Sequence, residues 1–366
     1  MPYPKFDRDR IRFRKLAERT SKVDISKDHV NPGHGHAAIS SSDEDIIRNT
    51  AERIKKARKD NRPVILAFGA HTIKNGLAPV LIGLMENDWL THLATNGAGI
   101  IHDWEFAFQG RSSEDVRANV SRGEFGIWEE TGYYINLGIA VGAYEGLGYG
   151  ESVGKMISRE GLDIPEKEVL KYSADHNFEP DPDLAAAAAD LAGIITKYRI
   201  APGFLKIPHP FKKYSVQAAA YRLGIPFTGH PMFGHDIIYT HPANNGAAIG
   251  RTAQNDFLAY AESVRNIENG VYISLGSAVM SPMIFEKALS MSRNVEMGKG
   301  NVINNQFMLV VDLAESGWDW KKGEPPADNP SYYLRYIKTF SRMGGEMQYL
   351  RADNRDFLVS LHNKLD

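Results

Sequence analysis

The chain has 366 residues, 43% of them hydrophobic and 24% charged, with a formal net charge of -2. That composition supports a substantial core, and the near-neutral balance gives no general attraction to nucleic acid or membrane surfaces. The absence of cysteine excludes disulfides, thiolate metal ligands and cysteine nucleophiles.

The first 45 residues are polar, and Asp7-Arg-Asp-Arg-Ile-Arg-Phe-Arg-Lys15 alternates in sign, which predicts a surface arm. No apolar leader follows Met1 and no apolar run reaches the length of a transmembrane helix, so a cytoplasmic protein is expected. Gly33-His-Gly-His36 offers two imidazoles without a third ligand, too few for a metal site. Ser40 and the acids after it are capping residues for a basic amphipathic helix over 43–59.

Pro63-Val-Ile-Leu-Ala-Phe-Gly69 reads as a buried strand that turns at glycine into a helix reaching about Glu86. A second strand, Trp89 to Thr95, ends at Asn96-Gly-Ala-Gly99 and leads into a helix carrying His102, Asp103 and Glu105. Strand, glycine corner and helix in repetition predict a doubly wound, mostly parallel α/β sheet with helices on both faces. Residues 111–160 suggest helices interrupted by a glycine-rich loop, and Asp183 is a candidate cap for the alanine-rich helix that follows. A helix over 215–223 feeds a short apolar run, Ile225 to Thr228. That run ends in a corner holding His230, His235, Asp236 and His241. Further strands are expected at 270–275, before Gly276-Ser277, at 307–312, and from Gly345 towards Asp353. Residues 331–342, with Tyr336 and Lys338, read as helical. No Gly/Ser/Pro linker divides the chain, so the expectation is an arm over 1–45 and a single domain over 46–366.

Ligands of open α/β sheets bind beyond the carboxyl ends of the strands, and Gly-rich corners present backbone N–H groups suited to a pyrophosphate. The G-x-G-x-x-G pattern is absent: Gly97-Ala-Gly99 is followed by Ile-Ile-His. On the residues alone, each corner is either a tight turn or part of a nucleotide site. The histidines are either structural or catalytic, and Lys338 is either a surface lysine or an amine nucleophile.

The order of these corners resembles the deoxyhypusine synthase family from about residue 50 onward. The resemblance rests on Phe68-Gly-Ala-His, on Asn96-Gly-Ala-Gly-Ile-Ile-His-Asp-Trp-Glu105, and on Ile225-Pro-Phe with Gly234-His-Asp-Ile-Ile-Tyr-Thr-His241. It also rests on Gly270-Val-Tyr-Ile-Ser-Leu-Gly-Ser277 and on Ala352-Asp353. It implies a deoxyhypusine-synthase-like NAD-binding fold, a homotetramer, and dehydrogenation of an amine with aminoalkyl transfer through a lysine imine. Carried over, it makes Lys338 the nucleophile, with His241 and Asp236 orienting the amine. His230, His235 and Tyr336 then line the substrate, and Asn96, Gly97, Glu105, Gly276, Ser277 and Asp353 frame the cofactor. The Asn-Gly…His-Asp-x-Glu corner is also similar to NAD-binding proteins of the ornithine-cyclodeaminase type. The alternatives are therefore an NAD-dependent cyclodeaminase or oxidoreductase acting on an amino acid such as ornithine, or a non-catalytic ligand-binding relative.

Overall fold

The computed structural model describes residues 3–33 and 40–366, so His34 and His36 lie outside the described residues. Its central feature is a six-stranded parallel sheet: β1 Val64–Phe68, β2 His92–Asn96, β3 Phe227–His230, β4 Val271–Leu275, β5 Phe307–Asp312 and β6 Glu346–Arg351. Across the sheet the order is 3-2-1-4-5-6. The associated helices are α1 Ser41–Lys59, α2 Ala78–Glu86, α3 Gly97–Gln109, α4 Val216–Leu223, α5 Gly246–Arg265, α6 Met280–Met297, α7 Arg335–Ser341 and α8 Asn354–Leu365.

Alternation along the strands sorts their side chains into two covered faces. Ile65, Ala67, Ala94, Tyr272, Met308, Val310 and Met347 face a core shared with Tyr260 and Val264 of α5, Phe285 of α6 and Phe340 of α7. The alternate residues, among them Leu66, Phe68, Ile273, Leu309 and Leu350, are also buried. On their side α1 packs on β1, β4 and β6, and α8 on β5, α1 and α2. Each such fully buried aliphatic or aromatic side chain contributes roughly 1.5–3 kcal/mol. The expected α/β class and two-sided helical cover are thus present.

Several element boundaries differ from expectation for local reasons. The helix after β1 is broken at Gly76 (φ 78), which separates His71–Lys74 from α2. Residues 331–342 divide into a 3-10 turn, Pro330–Tyr333, and α7. The cap before the alanine-rich helix is Asp181, whose side chain accepts the Leu184 N–H at 3.0 Å; Pro182 opens that helix.

The chain divides into two compact units. One comprises residues 28–99, 219–230 and 256–366 and holds the whole six-stranded sheet. The other comprises residues 1–27, 100–218 and 231–255. In it the supposed arm is folded: strand Ser21–Asp24 pairs antiparallel with Arg111–Glu114. Four of the five crossings between the units fall inside helices, Ile25–Asp28 and α3, α4 and α5, so no linker composition marks them.

β1 and β4 lie side by side, and Gly69 donates its N–H to the Leu275 carbonyl at 3.0 Å. A Cβ at Gly69 would overlap the carbonyl oxygen of Gly276. Gly69→Ala is therefore expected to cost about 1–3 kcal/mol, the usual range for overpacking, read as a lower urea midpoint. An unchanged midpoint would show that the two corners are not held in contact.

Candidate functional site

The strand order reverses between β1 and β4, which is the topological switch point of a doubly wound sheet and the place where such sheets bind ligands. Gly69 and Gly276-Ser277 floor this point with backbone. Gly276 has φ 55, a left-handed conformation in which glycine avoids the Cβ penalty. Ser277 is buried, and its Oγ accepts the Ser281 N–H at 3.1 Å in the first turn of α6. Asn96 ends β2, and its Oδ1 accepts the Gly99 N–H at 3.0 Å, capping α3 just after Gly97. At the far edge, Asp353 follows β6 and caps α8 through the Arg355 N–H at 2.8 Å. Asp312, the last residue of β5, accepts the N–H groups of Leu313 and Ala314. The Tyr336 hydroxyl is buried close to Tyr349 and Asp312, and burial followed by those neighbours holds its pKa far above the ordinary tyrosine value.

His230 ends β3 at the same carboxyl edge. It is buried, its Nε2 lies 3.0 Å from Thr228 Oγ1, and burial lowers its pKa to about 3, so it is a neutral imidazole at physiological pH. The preceding Gly229 donates its N–H to Asp256 Oδ2 at 2.6 Å. That bond supplies a partner on the outer side of an edge strand.

The same unit holds Lys338, on α7. Its Nζ lies 3.3 Å from the Tyr332 ring centroid and 3.8 Å from Glu324 Oε1, the surroundings of a paired cation. An imine-forming lysine requires a free amine, and neither of these partners comes from the strand ends. A polar cavity of about 590 Å³ in this unit, bordered by Asn269, Asn304 and Glu346, opens at the amino ends of β4 to β6. That is the opposite edge from the switch point.

The remaining expected site residues belong to the other unit. Glu105 lies in its interior, where Arg19 binds it through two bonds of 2.7 and 2.6 Å. The Ser112 and Thr131 hydroxyls donate to it at 2.5 and 2.9 Å. Burial alone would raise its pKa, but the Arg19 guanidinium and its hydrogen bonds, with His102 and Ser112, outweigh burial and hold it below the ordinary range. Four donors saturate this carboxylate, so the role expected for it on a cofactor is corrected to an internal ion pair. Its neighbour Asp103 accepts from Ser215 Oγ at 2.6 Å and from the Val216 N–H at 2.8 Å, which caps α4.

His241 is buried against Phe13, Tyr133 and Tyr198, with the Gly132 position leaving no room for a Cβ beside its ring. Its Nδ1 accepts the Ala243 N–H at 3.0 Å, and Glu129 Oε2 lies 3.7 Å from Nε2. Burial, then Arg8 and Lys197, lower its pKa to about 4. Asp236 has one oxygen buried without a hydrogen-bond partner, and burial raises its pKa to about 7. His235 is exposed. The four acids and histidines at 230–241 are thus divided, with His230 in one unit and His235, Asp236 and His241 in the other. Among the described residues no cluster of three or more His, Asp or Glu could hold a metal ion, and no helix is long and apolar enough to cross a membrane.

Sequence reading missed His92, which lies buried on β2 between Ser263 Oγ at 2.9 Å and Thr228 Oγ1 at 3.0 Å. A histidine within an apolar run was the available signal.

No protein-family model matches the chain, and no curated protein sequence matches it. Solved structures similar to it include AgrE in ternary complex with ornithine and NAD+ (16% identity, TM-score 0.44), covering 91% of this chain and 34% of AgrE. A conserved LOR/SDH protein of Methanococcus maripaludis S2 shows 13% identity and a TM-score of 0.45 over 92% of this chain and 74% of its own. ArgZ, an arginine dihydrolase from the ornithine-ammonia cycle in cyanobacteria, shows 16% identity and a TM-score of 0.41 over 88% and 32%. The chain spans about a third of the length of AgrE and ArgZ. AgrE is named with ornithine and ArgZ with arginine, none of the three is a deoxyhypusine synthase, and the resemblance to that family is corrected accordingly. The polyamine substrate and the aminoalkyl transfer through Lys338 fall with it.

Glu105 and the half-buried Asp236 give opposite expectations. Glu105→Gln leaves Arg19 buried without its counter-charge and is expected to cost about 3–5 kcal/mol at pH 7, measured by urea unfolding; a loss within experimental error would overturn the ion-pair assignment. Because the folded pKa of Glu105 is lowered, its contribution is present above the ordinary carboxylate value and disappears as pH falls through the folded one. For Asp236 the folded pKa is raised from 3.8 to about 7, so the native state holds the extra proton and stability falls as pH rises across that window. Asp236→Asn should raise Tm at pH 8 and leave it unchanged at low pH. Parallel pH curves for the two proteins would contradict the raised value.

Proposed function

We propose that this chain is an NAD-binding enzyme that transfers a hydride to or from the amine-bearing carbon of a small amino acid. The observation that carries the reading is the parallel sheet in order 3-2-1-4-5-6, with both strands at its switch point ending in glycine at backbone contact. That order and that crevice are the ones dinucleotides use in doubly wound sheets. A side chain at residue 69 would close the gap between the corners, and their exposed backbone suits a pyrophosphate better than a bulky apolar ligand. Gly69, Gly276 and Ser277 would hold the pyrophosphate, Asn96 and Gly97 the adenosine side, and Asp353 the opposite flank. Bound there, NAD supplies a hydride acceptor.

The polar groups at the strand ends suit an amino-acid substrate. Asp312 and Asp353 carry negative charge at the ends of β5 and β6, which favours a substrate ammonium, and Tyr336 narrows that side. His230, neutral at physiological pH, presents an uncharged imidazole at this edge that suits a hydrogen bond with a substrate amine or hydroxyl.

Titration of the full chain with NAD, alone and with ornithine, should raise its thermal midpoint in a concentration-dependent way. Ornithine should then produce reduced nicotinamide absorbance. A midpoint unmoved by NAD would overturn the cofactor assignment. A shift without turnover on any amino acid would leave a dinucleotide-binding protein in place of an enzyme.

A further inference from the structure

We propose that Ser263, His92, Thr228 and His230 form a proton relay from the carboxyl edge of the sheet to the surface of α5. The proposal rests on the reading of that edge as a hydride-transfer site. Its geometry is a continuous chain of short contacts in one unit. Ser263 Oγ lies 2.9 Å from His92 Nδ1, His92 Nε2 lies 3.0 Å from Thr228 Oγ1, and Thr228 Oγ1 lies 3.0 Å from His230 Nε2. Tyr260 packs edge-on against both imidazoles, at 5.5 and 5.3 Å, and holds the rings in place. Thr228 is 2% exposed and His92 fully buried, whereas Ser263 is only partly buried.

One hydroxyl between two ring nitrogens has a strict proton inventory. Thr228 has a single proton and can donate to only one of the two Nε2 atoms, so it must accept from the other. Burial keeps both rings neutral, which leaves two arrangements of the chain. In the first, His230 carries its proton on Nε2 and donates to Thr228, Thr228 donates to His92 Nε2, and His92 Nδ1–H donates to Ser263. Nδ1 of His230 is then a bare base. In the second arrangement every bond runs the other way, and Nδ1 of His230 carries a proton.

Moving from the first to the second requires no net charge on either ring once the transfer is complete. A substrate N–H or O–H gives its proton to His230 Nδ1, and the Nε2 proton passes to Thr228. The Thr228 proton passes to His92 Nε2, the His92 Nδ1 proton to Ser263, and the Ser263 hydroxyl proton to water. One proton enters at the strand end and one leaves at α5. In this scheme His230 is the group that touches substrate, and His92, Thr228 and Ser263 act through it.

The first test needs no ligand. Nitrogen NMR of the histidine-labelled full chain at neutral pH should show His92 and His230 as neutral, complementary tautomers, one protonated at Nε2 and the other at Nδ1. Thr228→Val should break that complementarity, and Thr228→Ser, which keeps the hydroxyl, should restore it. Both rings protonated at Nε2 in the wild type, or tautomers unchanged in Thr228→Val, would overturn the relay. The second test uses turnover: Thr228→Val should keep the NAD-induced midpoint shift and lose roughly 10²-fold or more in rate, with Thr228→Ser close to wild type. Equal losses in the two variants would assign Thr228 to packing alone and overturn the relay's role. A wild-type protein with complementary tautomers but no NAD shift would fail the cofactor reading and leave the proton chain standing, so the two failures are distinguishable.

Discussion

The backbone approach of Gly69 to Gly276 is the constraint on which the sheet-bearing unit depends. β1 and β4 are neighbours, yet the chain leaves them towards opposite faces: α2 joins α1 and α8 on one side, and α6 joins α5 and α7 on the other. Two departing chains open a crevice between them only if their first residues can pass at backbone distance. A Cβ at residue 69 would occupy the Gly276 carbonyl, and residue 276 itself needs a positive φ. The same geometry that lets six parallel strands be covered on both faces leaves a floor of unhindered backbone at their carboxyl ends. Fold and candidate site are in this sense one requirement.

Much of that unit was legible in the sequence because its signals are local. Val64-Ile-Leu-Ala-Phe, Val271-Tyr-Ile-Ser-Leu and Phe307-Met-Leu-Val-Val are apolar runs ended by glycine or an acid, and each became a strand buried on both sides. Less legible were the environments that partners distant in sequence decide. Glu105 was read from its place after a glycine corner, but its environment is decided by Arg19, 86 residues earlier in a segment read as an arm. The histidines at 230–241 were read as one cluster because they are close in sequence, although the division between units falls immediately after His230. The boundaries themselves were hidden for a related reason. Helices carry the chain across four of the five, and a helix has no linker composition to detect.

Buried ionisable groups in the two units meet desolvation in different ways, and the difference bears on function. Glu105 keeps its charge because a guanidinium and two hydroxyls replace the water it has lost. Such a pair is costly to assemble and more costly to halve, which makes it a fixed structural element rather than a group that changes state. Asp236 lacks those donors on one oxygen, and its proton affinity rises instead.

His92 and His230 follow a third course. Neither gains a counter-ion; each stays neutral and is paired through the Thr228 hydroxyl. A neutral chain in which every member both donates and accepts can reverse direction without leaving charge inside the protein, so burial disfavours the charged intermediate far more than either end state. A carboxylate in place of His92 would trap a proton at one point, and an apolar residue would end the chain. The imidazole–hydroxyl–imidazole sequence is the arrangement that lets a dry interior carry a proton while the apolar packing of α5 against the sheet remains intact.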